Sequence, residues 1–155
     1  MASTRHQARE QALSLLYEAH SKHLCASEVL AQRVIPPDPY VVSLLEGLDN
    51  RLEEVDALVS SNAIGWDLER MAVVDRITLR MATLELMRAA EQDREAVPLA
   101  VSITEAIELV RKYSTDDSPR FVNGVLSAVA ASLGMETSPP AELSLPGGGS
   151  PVQDG

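Results

Sequence analysis

Possible metal ligands stand close together near residue 20: two histidines, His20 and His23, and the cysteine Cys25. Imidazole and thiolate are zinc ligands, but a structural zinc site needs four ligands, and no fourth one is in view here. Cys25 is also the only cysteine, which excludes a disulfide within the chain and a site built from several thiolates. We therefore expect no metal site and interpret these residues as the solvated end of a helix.

A pair of carboxylates, Glu105 and Glu108, could act in acid–base chemistry. Their spacing places both side chains on one face of a helix. Such a pair is catalytic only when it is buried beside a nucleophile or a substrate pocket, and the sequence supplies neither. The sequence also contains no glycine-rich phosphate loop, no nucleophile elbow and no His-Glu-x-x-His motif. We predict that the protein is not an enzyme and that it needs no cofactor.

Arginines alternate with acidic residues in the next candidate group, which contains Arg70, Arg76, Arg80 and Arg88. One interpretation is a solvated helix face with local ion pairs, each contributing about 0.2–0.5 kcal/mol. The other is that Arg76 and Arg80, one helical turn apart, bind a chain of phosphates. The spacing alone favours the ion pairs.

The most unusual segment runs from residue 116 to residue 126. Ser118 is followed by proline, a combination typical of a helix N-terminus, and the only phenylalanine, Phe121, comes shortly after it. Asn123 and Gly124 lie inside the same predicted helix, where glycine costs about 1 kcal/mol relative to alanine. We expect Gly124 to allow the close approach of a second helix. Phe121 could lie in the core or offer a ring for base stacking.

The composition indicates a single helical domain. Hydrophobic residues make up 45% of the chain but aromatic residues only 3%, so the core must consist of aliphatic side chains, which suits helix packing. The net charge of −10 argues against indiscriminate nucleic-acid binding, because lysine and arginine supply the phosphate contacts. No apolar stretch is long enough for a membrane span, and the N-terminus does not resemble a signal peptide. We therefore expect a cytoplasmic protein that does not contact membranes.

Helical periodicity and capping residues divide the domain into about seven helices. The clearest one begins with Asp38 and Pro39, as cap and first helical residue, and continues as a long apolar stripe. Residues 73–87 are apolar on nearly every face, which places their helix at the centre of the fold. The other predicted helical segments are residues 4–20, 28–33, 67–70, 98–113 and 118–133. No segment alternates as a strand would, so we predict an all-α fold.

The end of the domain is predicted at Gly134, which suits a left-handed helix cap. The following residues include four prolines after residue 138 and three consecutive glycines, and they contain no lysine or arginine. Such a composition cannot bury enough apolar surface to offset the loss of chain entropy. We therefore assign residues 1–135 to the helical domain and residues 136–155 to a disordered tail.

Four motifs follow one another along the chain. They are Ala8-Arg9-Glu10 with Ala12-Leu13 and Leu16-Tyr17; Asp75-Arg76 with Leu79-Arg80, Ala82 and Glu85-Leu86; Ile103-Thr104-Glu105-Ala106-Ile107-Glu108-Leu109; and Ser118-Pro119-Arg120-Phe121-Val122-Asn123-Gly124-Val125-Leu126. In this order and spacing they resemble the NusB family of bacterial transcription antitermination factors, over about residues 5–133. The resemblance implies two packed three-helix bundles, with the proline-capped long helix ending the first.

The resemblance also implies a function. NusB-like factors bind the boxA element of nascent ribosomal RNA leaders, together with the small-subunit ribosomal protein that also serves as NusE. The complex joins a transcribing RNA polymerase and suppresses termination. This implies a non-catalytic antitermination factor that promotes transcription of ribosomal RNA operons. Its partners would be boxA RNA, NusE and the polymerase complex, and it would need neither a cofactor nor a metal.

The RNA-contacting positions of the family carry over onto several predicted helices. They are Arg5, Arg9, Tyr17, Glu69, Asp75, Arg76, Arg80, Asp117 and Phe121. The arginines would bind phosphates, while the rings and carboxylates would bind unstacked bases. The N-terminal arginines are sparser here than in many related sequences, which implies weaker RNA binding and a shallower salt dependence without the protein partner.

Two alternatives keep the fold but change the function. NusB-like domains also occur at the front of ribosomal-RNA methyltransferases, and without a nucleotide-binding strand–loop–helix pattern this chain would be a stand-alone RNA-binding protein. The other alternative is a homodimeric scaffold that hides its arginine face until its partners arrive. Native mass measurements at several protein concentrations, with and without RNA, separate these alternatives from an antitermination factor.

Overall fold

The computed structural model describes residues 4–135, which form six α-helices and one short 3-10 helix, with no strand among them. The α-helices are α1 (Arg5–Lys22), α2 (Ala26–Ala31), α3 (Pro39–Asn62), α4 (Val73–Ala90), α5 (Leu99–Tyr113) and α6 (Ser118–Ser132). The 3-10 helix (Leu68–Arg70) lies between α3 and α4. The prediction of an all-α fold is confirmed.

The helices pack as two groups of three, α1 to α3 and α4 to α6, which meet mainly where α3 contacts α4. The buried leucine, valine, alanine, isoleucine and methionine side chains of both groups form one continuous core. Every residue of α4 from Asp75 to Met87 is buried except Arg80, and α4 contacts α1, α3, α5 and α6. The helix predicted to be central therefore is central.

Capping residues begin α1 and α3, and of these the cap at Asp38 with Pro39 was predicted from the sequence. Thr4 and Gln7 form a capping box at α1: the Thr4 hydroxyl accepts a hydrogen bond from the Gln7 amide, and the Gln7 side chain accepts one from the Thr4 amide. At α3, the Asp38 carboxylate accepts a hydrogen bond from the Tyr40 amide at 2.8 Å, and Pro39 occupies the first helical position.

The connection from α1 to α2 differs from the sequence prediction. α1 does not end at His20 but continues to Lys22, and His23 closes it in a left-handed conformation with φ of 58°. α2 starts at Ala26, two residues before the predicted start, because the Glu28 carboxylate accepts a hydrogen bond from the Cys25 amide at 2.8 Å. The turn is therefore shorter than its weak apolar pattern suggested.

Gly134 ends α6 as predicted. Its φ is +79°, and the Met135 amide donates a hydrogen bond back to the Ala130 carbonyl at 2.9 Å. Within residues 4–135, no helix is long and apolar enough to cross a membrane. The predicted disordered tail, residues 136–155, lies outside the described residues.

The prediction that Gly124 allows a close helix approach is wrong. Gly124 is exposed on α6, and a Cβ atom placed there would have no neighbouring atom within 4 Å. The close approach occurs instead at Gly47, between α3 and α4. A Cβ atom at Gly47 would lie 2.8 Å from Leu84 Cδ2 and 2.5 Å from Nη2 of Arg88.

These two glycines predict opposite effects of alanine. Gly124→Ala should raise the free energy of unfolding by up to about 1 kcal/mol, because alanine is the better helix former and meets no neighbour. Gly47→Ala gains the same helix propensity but overpacks the interface between α3 and α4, so the free energy of unfolding should fall by roughly 1 kcal/mol. Urea unfolding of both variants measures the difference, and equal shifts of the same sign would contradict the close contact at Gly47.

Candidate functional site

The predicted site residues fall into two groups in the fold. Most surround the N-terminal end of α4, where α1, the 3-10 helix and the start of α6 also meet. This group consists of Tyr17, Glu69, Asp75, Arg76, Arg80, Asp117 and Phe121. Arg5 and Arg9 lie apart from it, at the beginning of α1.

Arg9 is buried, with 3% of its surface exposed, and it forms an ion pair inside the protein. Its Nε and Nη2 atoms donate hydrogen bonds to the two oxygens of Glu85 on α4, at 3.0 and 3.1 Å. The Tyr40 hydroxyl of α3 donates a third hydrogen bond to Glu85, at 2.6 Å. Burial and the Glu85 charge raise the pKa of Tyr40, so its hydroxyl stays protonated. In this arrangement Arg9 ties three helices together and does not reach the surface as a phosphate ligand.

Arg5 is the accessible member of the N-terminal pair. It lies one helical turn before Arg9 on α1 and is exposed. Its guanidinium carbon lies 4.0 Å from the centroid of the Tyr40 ring, a cation–π contact. Within residues 4–135 its N–H groups make no hydrogen bond, so they can meet a phosphate.

Arg76 and Arg80 line a groove of about 300 Å³ between α1, α3 and α4, together with His20 and other residues. Arg80 is half-buried, and its Nε and Nη2 donate hydrogen bonds to both oxygens of Asp56 on α3, at 2.7 and 2.9 Å. Arg76 donates a hydrogen bond to the Leu68 carbonyl at 2.9 Å and lies 3.4 Å from His20 Nδ1. Burial and the nearby Arg80 charge lower the pKa of Arg76. The ion-pair interpretation thus applies to Arg80, although its partner belongs to another helix.

Asp75 connects the start of α4 to the start of α6. Its buried carboxylate accepts hydrogen bonds from the hydroxyls of Ser114 and Ser118, at 2.7 and 2.9 Å. Ser118 was expected to cap α6, but it is the first helical residue, and Asp117 precedes it at the cap position. The serine is needed inside the helix because its hydroxyl binds Asp75 and also accepts a hydrogen bond from the Thr115 amide.

A second groove, of about 310 Å³, lies beside this connection and is lined by Asp117 and Phe121 as well as Trp66 and Arg70. The rings of Trp66 and Phe121 are in contact, with centroids 5.6 Å apart and planes inclined by 60°. Phe121 is partly buried against the core, whereas Trp66 is 52% exposed. Asp117 is exposed, and its side chain makes no hydrogen bond within residues 4–135.

Tyr17 borders a third groove, of about 480 Å³, between α1 and the ends of α4 and α5. Tyr113 stands at the same groove, and both rings are 46% exposed. Tyr17 also contacts the ring of His20, with centroids 6.4 Å apart. A continuous series of contacts thus leads from Tyr17 through His20 and Arg76 to the 3-10 helix, where Glu69 is exposed.

A sequence model of the NusB family matches residues 6–131, nearly the whole described domain. The chain belongs to the NusB family. Transcription antitermination protein NusB of Salinispora tropica is 46% identical over 133 residues, which cover 81% of this chain and 94% of that protein. The protein of the same name from Saccharopolyspora erythraea is 44% identical over 131 residues, covering 81% of this chain and 86% of that one.

Solved structures of NusB proteins share the fold. A NusB structure from T. maritima superposes with a TM-score of 0.71 at 28% identity, covering 84% of this chain and 93% of that one. The solution structure of NusB from Aquifex aeolicus has a TM-score of 0.63 at 25% identity, covering 88% and 95%. A chain in a crystal structure described as a plectonemic RNA supercoil has a TM-score of 0.68 at 26% identity, covering 83% and 94%.

Two residues of this NusB-family protein were missed by sequence reasoning, although the structure places them at the candidate surface. Trp66 lies between the predicted helical segments and was given no role, and the only signal for its 52% exposure was this position in a connecting segment. Tyr113 was assigned to a helix end with no role. Among residues 4–135, no group of three or more histidine, cysteine or acidic side chains is arranged to hold a metal ion.

Proposed function

We propose that this NusB-family protein is an antitermination factor that binds the boxA element of nascent ribosomal RNA leaders together with the ribosomal protein NusE. The complex would then join a transcribing RNA polymerase. The observation that carries this proposal is the meeting of arginines, exposed rings and exposed carboxylates around the start of α4. The antitermination function of the named relatives supports it as well.

The chemistry of this surface suits single-stranded RNA. Arg5, which is exposed beside this surface, would bind a phosphate, whereas Arg76, which is 9% exposed, would have to turn outward from the Leu68 carbonyl to do so. The rings of Tyr17 and Phe121 would stack on unpaired bases. Asp117 and Glu69 would accept hydrogen bonds from base N–H groups and would repel phosphates that approach them. Because the protein carries a net charge of −10, binding must depend on this local arrangement rather than on overall attraction.

Arg80 would have to exchange partners to bind RNA. Its guanidinium already forms two hydrogen bonds with Asp56, and a phosphate would replace that carboxylate. The exchange should contribute little to the free energy of RNA binding, because one charge-assisted pair is broken for each one formed. Together with the burial of Arg9, this leaves few phosphate contacts and supports the proposal that NusE is needed for tight binding.

Binding of boxA RNA and of a scrambled RNA to Phe121→Ala and Arg80→Ala tests the RNA face. Loss of a stacked base should weaken boxA binding by about 5- to 150-fold in Phe121→Ala. Arg80→Ala should reduce the slope of log K against log salt by about 1 if Arg80 contacts a phosphate. A circular dichroism melt of each variant verifies that it is folded at the temperature of the assay.

Arg51→Ala is the matched control for Arg80→Ala. The Arg51 side chain is 27% exposed and the Arg80 side chain 26%, and both are held in ion pairs on carboxylates. Arg51, however, binds Glu91 just beyond the opposite end of α4, so its loss should not change RNA binding. Unchanged discrimination between boxA and scrambled RNA in both Phe121→Ala and Arg80→Ala would remove the RNA-face assignment.

The need for the partner has a separate test. A salt titration of boxA RNA binding is carried out with and without NusE. We expect weak binding with a shallow salt dependence for the protein alone, and clearly tighter binding with the partner, because the protein itself supplies few accessible arginines. Equal affinities under both conditions would show that the partner is not needed.

A further inference from the structure

We propose that Trp66 is an RNA-binding residue, and that the groove lined by Trp66, Phe121, Arg70 and Asp117 holds a single unpaired nucleotide. This inference rests on the proposed function and names a residue and a subsite within it. The groove has a volume of about 310 Å³. That is at the lower end of the range of roughly 300–1,000 Å³ typical of small-molecule sites, the size class of one nucleotide rather than of a protein helix.

The geometry of the two rings assigns them different roles. Their centroid distance of 5.6 Å is that of rings in direct contact, so no base fits between them. Phe121 is partly buried against the core and supports one side of the indole. The rest of Trp66, which is 52% exposed, offers an open face on which a base stacks.

The polar groups at the rim complement a nucleotide. Arg70 and Asp117 line the groove, and neither side chain makes a hydrogen bond or ion pair within residues 4–135. Asp75 and Ser118, in contrast, form a hydrogen bond with each other in the wall of the groove. A free guanidinium binds a phosphate, and a free carboxylate accepts hydrogen bonds from base N–H groups. One cation and one acceptor beside an aromatic face match the parts of a nucleotide, namely its phosphate, a base N–H donor and the base ring.

The fluorescence of the protein reports on this subsite directly, because Trp66 is the only tryptophan in the chain. The titration uses NusE that contains no tryptophan, with any tryptophan of NusE replaced beforehand. Addition of boxA RNA to the complex should then quench the emission of Trp66. A series of boxA RNAs, each with one base replaced by an abasic site, should contain one position at which the quenching is lost while binding remains measurable.

Variants separate stacking from a structural role. Trp66→Leu keeps an apolar side chain against Phe121 but removes the ring, and it should weaken RNA binding by about 5- to 150-fold. Trp66→Phe keeps an aromatic ring and should therefore lose less RNA affinity than Trp66→Leu. Ile64→Ala is the matched control, since Ile64 is 85% exposed two residues earlier and does not line the groove, and its RNA affinity should be unchanged.

A double-mutant cycle decides between direct and indirect effects. At the one abasic position that removes the quenching, Trp66→Leu and the missing base should each reduce the free energy of RNA binding, but their effects should not add, because both remove the same contact. The nucleotide subsite would be overturned if Trp66→Leu bound RNA as tightly as the wild type, or if the two losses of binding free energy added at every abasic position. The proposed function would still stand in either case. Absence of any boxA binding by the wild-type protein with NusE would instead overturn the proposed function, and the subsite with it.

Discussion

Replacement of Arg9 by alanine should lower the free energy of unfolding by about 3–5 kcal/mol. The Arg9 guanidinium and the Glu85 carboxylate are both nearly inaccessible to solvent and share two hydrogen bonds. Without the cation, Glu85 stays buried with the Tyr40 hydroxyl as its remaining donor among the described residues, and an uncompensated buried charge is strongly destabilising. Urea unfolding followed by circular dichroism measures the loss.

Arg5→Ala is the matched control, because Arg5 lies one turn earlier on α1 and is exposed. It should change the free energy of unfolding by less than about 0.5 kcal/mol and should weaken boxA RNA binding. The double variant Arg9→Met with Glu85→Gln removes both charges and should recover most of the stability lost in Arg9→Ala. Similar stability in Arg5→Ala and Arg9→Ala would contradict the assignment of Arg9 to the interior.

The second large effect is expected at Asp75. Asp75→Ala removes a buried carboxylate that accepts two hydrogen bonds, and each such charged hydrogen bond contributes about 1.5–3 kcal/mol. Without Asp75, the Ser118 hydroxyl can donate instead to Ser114 Oγ, which lies 3.0 Å away, and this offsets part of the loss. The free energy of unfolding should therefore fall by about 2–4 kcal/mol. RNA affinity should fall as well in the protein that remains folded, because Asp75 holds the start of α6 that carries Phe121.

Asp117→Ala provides the comparison, since this carboxylate is exposed at the same groove. It should weaken RNA binding while changing the free energy of unfolding by less than about 0.5 kcal/mol. Asp75→Asn keeps an acceptor for one serine hydroxyl and should lose less stability than Asp75→Ala. If Asp75→Ala proved as stable as the wild type, its assignment as the link between α4 and α6 would be wrong.

Helix ends were predictable because their causes are local. The predicted caps at Asp38 with Pro39 and at Gly134 each involve residues within a few positions in the chain. The central position of α4 followed from its apolar side chains on every face. Gly124 shows the limit of this reasoning, because composition alone does not reveal which side of α6 carries the glycine or what lies opposite.

The roles of the two N-terminal arginines were not predictable from the sequence. Arg5 and Arg9 are the same residue type, one helical turn apart on the same helix. What separates them is Glu85, which lies 76 positions further along the chain from Arg9 and meets it only because α1 packs against α4. A pattern that ends within one helix contains no information about such a partner.

The sequence by itself determined the helices, most of their ends and the NusB family, because these depend on periodicity, local caps and ordered motifs. Only the tertiary structure decided that Arg9 is internal, that Arg80 binds Asp56, and that Trp66 joins Phe121 at an open groove. Each of these contacts joins residues that are distant in the chain. Whether a charged or aromatic side chain binds RNA or stabilises the fold therefore depends on how much of it packing leaves exposed.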